Sequence, residues 1–205
     1  MNTNKAQKHL QFIRGVMERS ALYRRALAGI YIFIALAGLS AGGLGFFRGP
    51  TDSTAFLAYW MGLAVLIVLL ATGFMGFQAL RAVEPFWQGP VPRIAHHLFP
   101  PLFCGAVLGG ACLLRNDAGD LFWLIPLWMT FYGLGLIAVS AIVPKGLLGL
   151  GWAFILAGLT VFSLLHVIGE IDLPKLHLIM GATFGAGHLL HGCYLCFAES
   201  RRDDS

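Results

Sequence analysis

Residues Thr54–Leu80 read TAFLAYWMGLAVLIVLLATGFMGFQAL, 27 positions without one Asp, Glu, Lys or Arg. The hydrocarbon core of a bilayer is about 30 Å thick and takes about 20 apolar residues in helical form to cross. A helix also satisfies its own backbone N–H and C=O groups where no water can. The stretch therefore predicts a transmembrane helix. Five more segments are equally free of these four residue types: Ala26–Phe47, Phe99–Leu114, Leu121–Val143, Gly146–Val167 and Leu176–Phe197. Together they predict an all-α integral membrane bundle of six helices.

Composition agrees. Of the 205 residues, 58% are hydrophobic and 12% charged, with a mean hydropathy of +0.75. A soluble domain is about half apolar and about a quarter charged. A globule of this size has no core large enough for so much apolar surface. The net charge of +4 invites a nucleic-acid reading, but the basic residues sit at the N-terminus and in alternate short loops, the pattern that orients a membrane protein. Cys104, Cys112, Cys193 and Cys196 all lie in apolar segments, which favours free thiols over a disulfide framework. The first 25 residues hold no apolar signal-peptide core, so Ala26–Phe47 is expected to remain as an uncleaved first helix.

The third segment is the short one: 16 residues at about 1.5 Å each give only ~24 Å. Pro100 and Pro101 suit the first turn of a helix, where a missing N–H costs nothing. Orientation supports a full crossing. With six crossings, eleven basic residues share the side of the N-terminus and three (Arg48, Arg115, Lys175) face the other side, while the acidic residues divide five and five. The expected location is a bacterial cytoplasmic (inner) membrane with both termini cytoplasmic. Residues 1–25 read as a cytoplasmic amphipathic helix, residues 26–198 as the six-helix domain, and residues 199–205 as a cytoplasmic tail. In the first of these, Leu10, Ile13, Met17 and Ala21 form an apolar stripe with Lys8, Arg14, Arg19 and Arg25 largely off it, a pattern suited to the surface of the lipid bilayer.

Small residues at four-residue spacing mark where helix backbones can approach in lipid: Ala37, Ala41 and Gly45; Gly105 and Gly109; Gly181 and Gly185. These faces are expected to point into the bundle. Pro126 is expected to bend the fourth helix or mark a local opening. Trp60, Trp123, Tyr31 and Tyr59 are candidates for interfacial anchors.

Ionisable groups at membrane depth are the functional suspects. His188 and His191 stand three apart and share a helix face, followed at the same spacing by Cys193 and Cys196. His96, His97 and Cys104, at the start of the third helix, are expected at the inner end of the sixth. Imidazole and thiolate suit zinc, copper or iron, so His188 and His191 are candidate haem or cofactor ligands, and His96, His97, Cys104, Cys193 and Cys196 candidate transition-metal ligands. The structural alternative is that the histidines join helices by hydrogen bonds and the thiols act as small hydrophobes. His166, Glu170, Asp172 and His177 form a second group around an outer loop, with a cation as the conceivable ligand.

No phosphate-binding loop, G-x-S-x-G or H-E-x-x-H is present, and no carboxylate or basic side chain lies at mid-membrane. The opening His9-Leu10-Gln11-Phe12-Ile13-Arg14, followed by Met17-Glu18-Arg19-Ser20, resembles the start of a group of small bacterial polytopic membrane proteins without an established activity; Gly185–His188 matches their Gly-x-x-His pattern. The resemblance implies an inner-membrane location and brings no chemistry. The expectation is a non-enzymatic sensor, regulator or subunit that acts through a protein partner or as a homo-oligomer, without nucleic acid. The alternatives are a small oligomeric transporter or channel for a neutral or apolar solute, and a haem- or metal-binding electron carrier.

The orientation has a direct check. A reporter that matures only in the cytoplasm is expected to be active when fused after Ser205, and a phosphatase active only outside it is expected to be silent there. The reverse result would overturn the assigned topology.

Overall fold

The computed structural model describes residues 28–81, 91–115, 117, 119–142, 146–169 and 172–203, all of it helices and short connections. The expected amphipathic helix of residues 1–25 lies outside the described residues. Helix α1 runs Ala28–Arg48 and α2 Ser53–Arg81; α3 is Val91–Arg115, α4 Asp120–Ser140 and α5 Leu147–Ile168. All five are long and apolar enough to cross a bilayer. The chain is accordingly a multi-pass membrane protein.

The elements end where the chemistry requires. Pro50 stops α1, whose last turn is closed by Gly49 N–H on the Gly45 carbonyl at 2.9 Å. Asp52 caps α2, its carboxylate accepting from Ala55 N–H at 2.8 Å. Gly146 (φ 115°) and Gly169 (φ 81°) bracket α5 in a backbone conformation that side chains disfavour.

Two segments differ from the sequence expectation. The third helix begins at Val91 instead of Phe99, so Pro100 and Pro101 lie inside it and not in its first turn. Its 25 residues span about 37 Å and clear the crossing. The carbonyls deprived of donors by the two prolines are those of His96 and His97, at the polar end of the helix, where leaving them unpaired costs least. The last apolar segment is helical from Leu173 to Asp203 but in three parts: α6 (Leu173–Met180), a π-helical stretch Gly181–Ala186, and α7 (Gly187–Asp203). Backbone angles stay helical through both junctions (Gly181 φ −62°, ψ −43°; Gly187 φ −57°, ψ −46°).

Packing runs through glycine, as expected where lipid tails give apolar helices no reason to associate. In the α4–α5 hairpin, a Cβ on Gly133 would lie 2.6 Å from the Gly151 carbonyl oxygen, and one on Gly158 2.8 Å from that of Pro126. Pro126 is buried within α4 at this crossing. Gly105 and Gly109 of α3 admit Trp128 of α4, whose indole N–H bonds to the Gly105 carbonyl at 2.9 Å. Helix α1 lies along α6 and the π stretch: a Cβ on Gly42 would fall 2.6 Å from the Cα of Gly181, and one on Gly38 3.1 Å from that of Gly185. Of the small residues expected on this face, Ala41 and Gly45 are buried and Ala37 half-buried. Phe56, Leu57, Leu124, Ile125 and Met129 fill the centre.

This contact predicts a paired result. Gly42→Ala is expected to destabilise the purified protein by about 1–3 kcal/mol, the range for overpacking. Gly43→Ala, with nothing within 4 Å of the new Cβ, is expected to leave stability unchanged or slightly raised. Thermal or denaturant unfolding in detergent reads both; equal losses would remove the close-approach argument.

Candidate functional site

The helical run that starts at Leu173 carries three buried histidines: His177, His188 and His191. Each touches α1: His177 at Gly45, and His188 and His191 at Tyr31, where Gly181, Gly185 and Gly192 let α1 lie close. Polar groups here have few partners to choose from, so the hydrogen bonds fix the chemistry.

His188 is held at both nitrogens. Its Nδ1 meets the carbonyl of Phe184, one turn back, and a carbonyl only accepts; Nδ1 therefore carries the proton. In the neutral ring Nε2 is then the acceptor, and the Tyr132 hydroxyl of α4 donates to it at 2.6 Å. Tyr31 of α1 stacks on the imidazole (ring centroids 5.7 Å apart, 25° between planes), Phe154 of α5 packs edge-on to it, and Phe184 packs on Phe154 and Tyr132. His191 presents its ring to the edge of Tyr31 at 4.6 Å and stacks on Tyr194. The two histidines singled out by the sequence thus share one aromatic enclosure.

The bond to Phe184 also serves the backbone. A π-helical turn shifts the N–H ladder by one residue and leaves carbonyls poorly matched. Thr183 Oγ1 donates to the carbonyls of Ile179 (2.8 Å) and Met180 (3.2 Å), and His188 to that of Phe184. Side chains within and next to the π stretch thus add donors to its carbonyls.

His177 is arranged in the opposite sense. It is fully buried, and its Nδ1 accepts from the indole N–H of Trp60 at 3.0 Å. An indole nitrogen only donates, so Nδ1 is the bare nitrogen and Nε2 carries the proton. That N–H has no hydrogen-bond partner among the described residues. Phe56, Tyr59 and Trp60 of α2 surround the ring at centroid distances of 4.5, 5.3 and 6.0 Å, and the missing side chain of Gly45 makes room for it. Tyr59 donates to the Ala41 carbonyl of α1 at 2.8 Å.

These positions correct several expectations. His177 points into the core and does not join His166, which is exposed and lies beside Phe162 and Phe122. Glu170 lies outside the described residues, and Asp172 pairs with Lys175 at 2.8 Å. Trp60 is buried and Tyr31 and Tyr59 pack on the core, so these three are contacts within the bundle instead of interfacial anchors; Trp123 is half-buried against the same core. His96 and His97 are exposed on α3, their rings 5.6 Å apart, with Cys104 exposed beyond them. Helix α3 packs on α2 and α4, whereas α7, carrying Cys193 and Cys196, packs on α5. The expected meeting of the two groups is therefore not seen, and no cluster of three or more His, Cys, Asp or Glu suited to a metal occurs among the described residues. All four cysteines are free.

One buried group escaped the sequence reading altogether. Asp120, at the start of α4, is 3% exposed; Arg115 Nε lies 3.6 Å from its Oδ2, which has no hydrogen-bond partner among the described residues. No protein-family model, curated protein or solved structure matches the chain.

The dyad gives a test of the hydrogen bond. Tyr132→Phe removes the hydroxyl that donates to His188 Nε2 within an aromatic enclosure. A loss of about 1–3 kcal/mol is expected in detergent unfolding. Thr130→Val, which deletes a hydroxyl that only back-bonds to the Pro126 carbonyl of its own helix, is expected to cost much less. Equal costs would show that the dyad contributes nothing specific.

Proposed function

We propose that the protein is a six-crossing component of a bacterial inner membrane, with both termini cytoplasmic, that works without catalysis of its own as a sensor, regulator or subunit acting through a protein partner. The observation that carries this reading is the uneven burial of the bundle. In its most apolar stretch α4 is 44% buried, whereas α2 and α3 are 17% buried. Helix α2 buries only Phe56, Leu57 and Trp60, all in its first third, and Met61–Arg81 has no buried residue. One side of the bundle is thus well packed and the other is an open apolar edge.

The buried polar groups support the same reading. Among the described residues, Tyr132 bonds to His188, Trp60 to His177, and Thr183 to its own helix, so these polar side chains are engaged within the bundle. The Tyr132 hydroxyl occupies the Nε2 lone pair of His188 that an iron or copper ion would use. The transporter reading keeps one observation in its favour, the π-helical stretch at membrane depth, since broken helices commonly line transport sites.

Native mass spectrometry of the chain purified in mild detergent tests the proposal. A second protein at fixed stoichiometry is expected, cross-linking to photoreactive residues placed at Leu69 or Leu70 of α2. A strictly monomeric particle carrying lipid alone, with adducts to lipid only, would overturn it.

A further inference from the structure

Helix α2 buries side chains only in its first third, and along the rest of its length it lies beside α3 without a buried residue. Its buried side chains are Phe56, Leu57 and Trp60, and two of its hydrogen bonds to other helices leave from adjacent residues: Tyr59 to the Ala41 carbonyl, and Trp60 to His177. One bond depends on a nitrogen lone pair and the other does not. An imidazolium has two N–H groups and no lone pair, and an indole N–H can only donate. If His177 takes up a proton, the new N–H at Nδ1 faces the N–H of Trp60, donor against donor. The bond cannot survive by a change of tautomer or a small rotation of the indole. The ring stays packed against Phe56 and Tyr59, whose centroids lie 4.5 and 5.3 Å away.

We propose that the Trp60–His177 hydrogen bond is a proton-operated tether: protonation of His177 breaks it and releases α2 from α6. The inference names the regulation of the open α2 edge. It rests on the partner-dependent reading for its purpose but not for its chemistry. The groups that face the imidazole leave the switch to His177 itself. Helix α1 offers Ala41, Gly42 and Gly45, none of which titrates. Helix α2 offers Phe56, Trp60 and the Tyr59 phenol, which is committed to Ala41. On the histidine's own helix, Asp172 and Lys175 neutralise each other at the exposed start. Asp120, the buried acid of α4, is matched by Arg115.

The purified full chain decides the matter without a partner. Trp indole N–H signals are followed by NMR, and the distance between spin labels at Phe77→Cys on α2 and Leu148→Cys on α5 is measured with the four native cysteines replaced by alanine. Both are read between about pH 8 and pH 5, the range in which imidazole changes charge. The expected result is loss of the hydrogen-bonded Trp60 signal and a broader, longer label distance at acid pH. In His177→Gln, whose amide oxygen accepts at every pH, the distance is expected to stay at its short value. In Trp60→Phe it is expected to be broad already at the alkaline end, which keeps the test decisive if the glutamine variant does not fold. A bonded Trp60 signal that persists after the His177 ring C–H signals report the cation would overturn the tether. So would a ring that never protonates, or the same distance change in His177→Gln. Any of these leaves the search for a partner untouched, and a missing partner leaves the tether standing.

Discussion

The close approach of α1 to the last helical run governs the rest of this structure. In lipid, two apolar helices gain little by touching, since acyl chains cover them as well as neighbouring side chains do. What they gain comes from backbone contact, and here it is provided by Gly38 and Gly42 against Gly185 and Gly181. That contact sets where the histidines fall. With α1 this close, Tyr31 covers His188 and His191 at one end, while Gly45 clears the volume that the His177 ring occupies at the other. A side chain at Gly42 or Gly181 would part the helices, and both enclosures would open together.

The π-helical stretch follows from the same requirement for a satisfied backbone. Inserting one residue into a helical ladder is costly in hydrocarbon unless new donors reach the displaced carbonyls. Thr183 and His188 bring side-chain donors to carbonyls in and beside this stretch. His188 thus bonds to its own helix through Nδ1 and joins that helix to α4 through Nε2 and Tyr132. This double use engages both ring nitrogens.

How much of this could be read from the chain divides along physical lines. Segments without charge announce their solvent, so five crossing helices and their limits were legible to within a few residues, except at Val91. There Arg93, His96 and His97 masked a helix that starts in the polar region, and Pro100 and Pro101 looked like its beginning. The small-residue spacing located the inward faces of α3 and the last run at Gly105, Gly109, Gly181 and Gly185, but on α1 the close contact is made by Gly38 and Gly42, one position on from the expected Ala37 and Ala41. The partners of the histidines were not legible. Trp60 and Tyr132 sit 117 and 56 residues from His177 and His188, and nothing local in a charge-free helix tells an interfacial aromatic from one whose polar tip is bonded in the core. A signal did exist. Buried imidazoles need partners, and with so few polar side chains at depth, tyrosine and tryptophan were the main candidates. The π-helical stretch left no sequence mark beyond the glycines that also serve packing.

The two bonded histidines are opposite tautomers, and this separates their roles. At His188 the proton on Nδ1 is fixed by a carbonyl, and the partner of Nε2 is a hydroxyl, which can both donate and accept. Were that ring to become a cation, the Tyr132 O–H could turn away and receive the new N–H, and the α4–α7 link would persist with its sense reversed. At His177 the partner is an indole, which has no lone pair to offer, so the link to α2 exists in only one protonation state. A hydroxyl partner makes a joint that tolerates protons and an indole partner makes one that is broken by them. The chain places the tolerant joint beside the π-helical stretch and the sensitive joint at α2, which with α3 is the least buried of the crossing helices. That distribution lets α2 move while the α1 and α4–α7 framework stays in place.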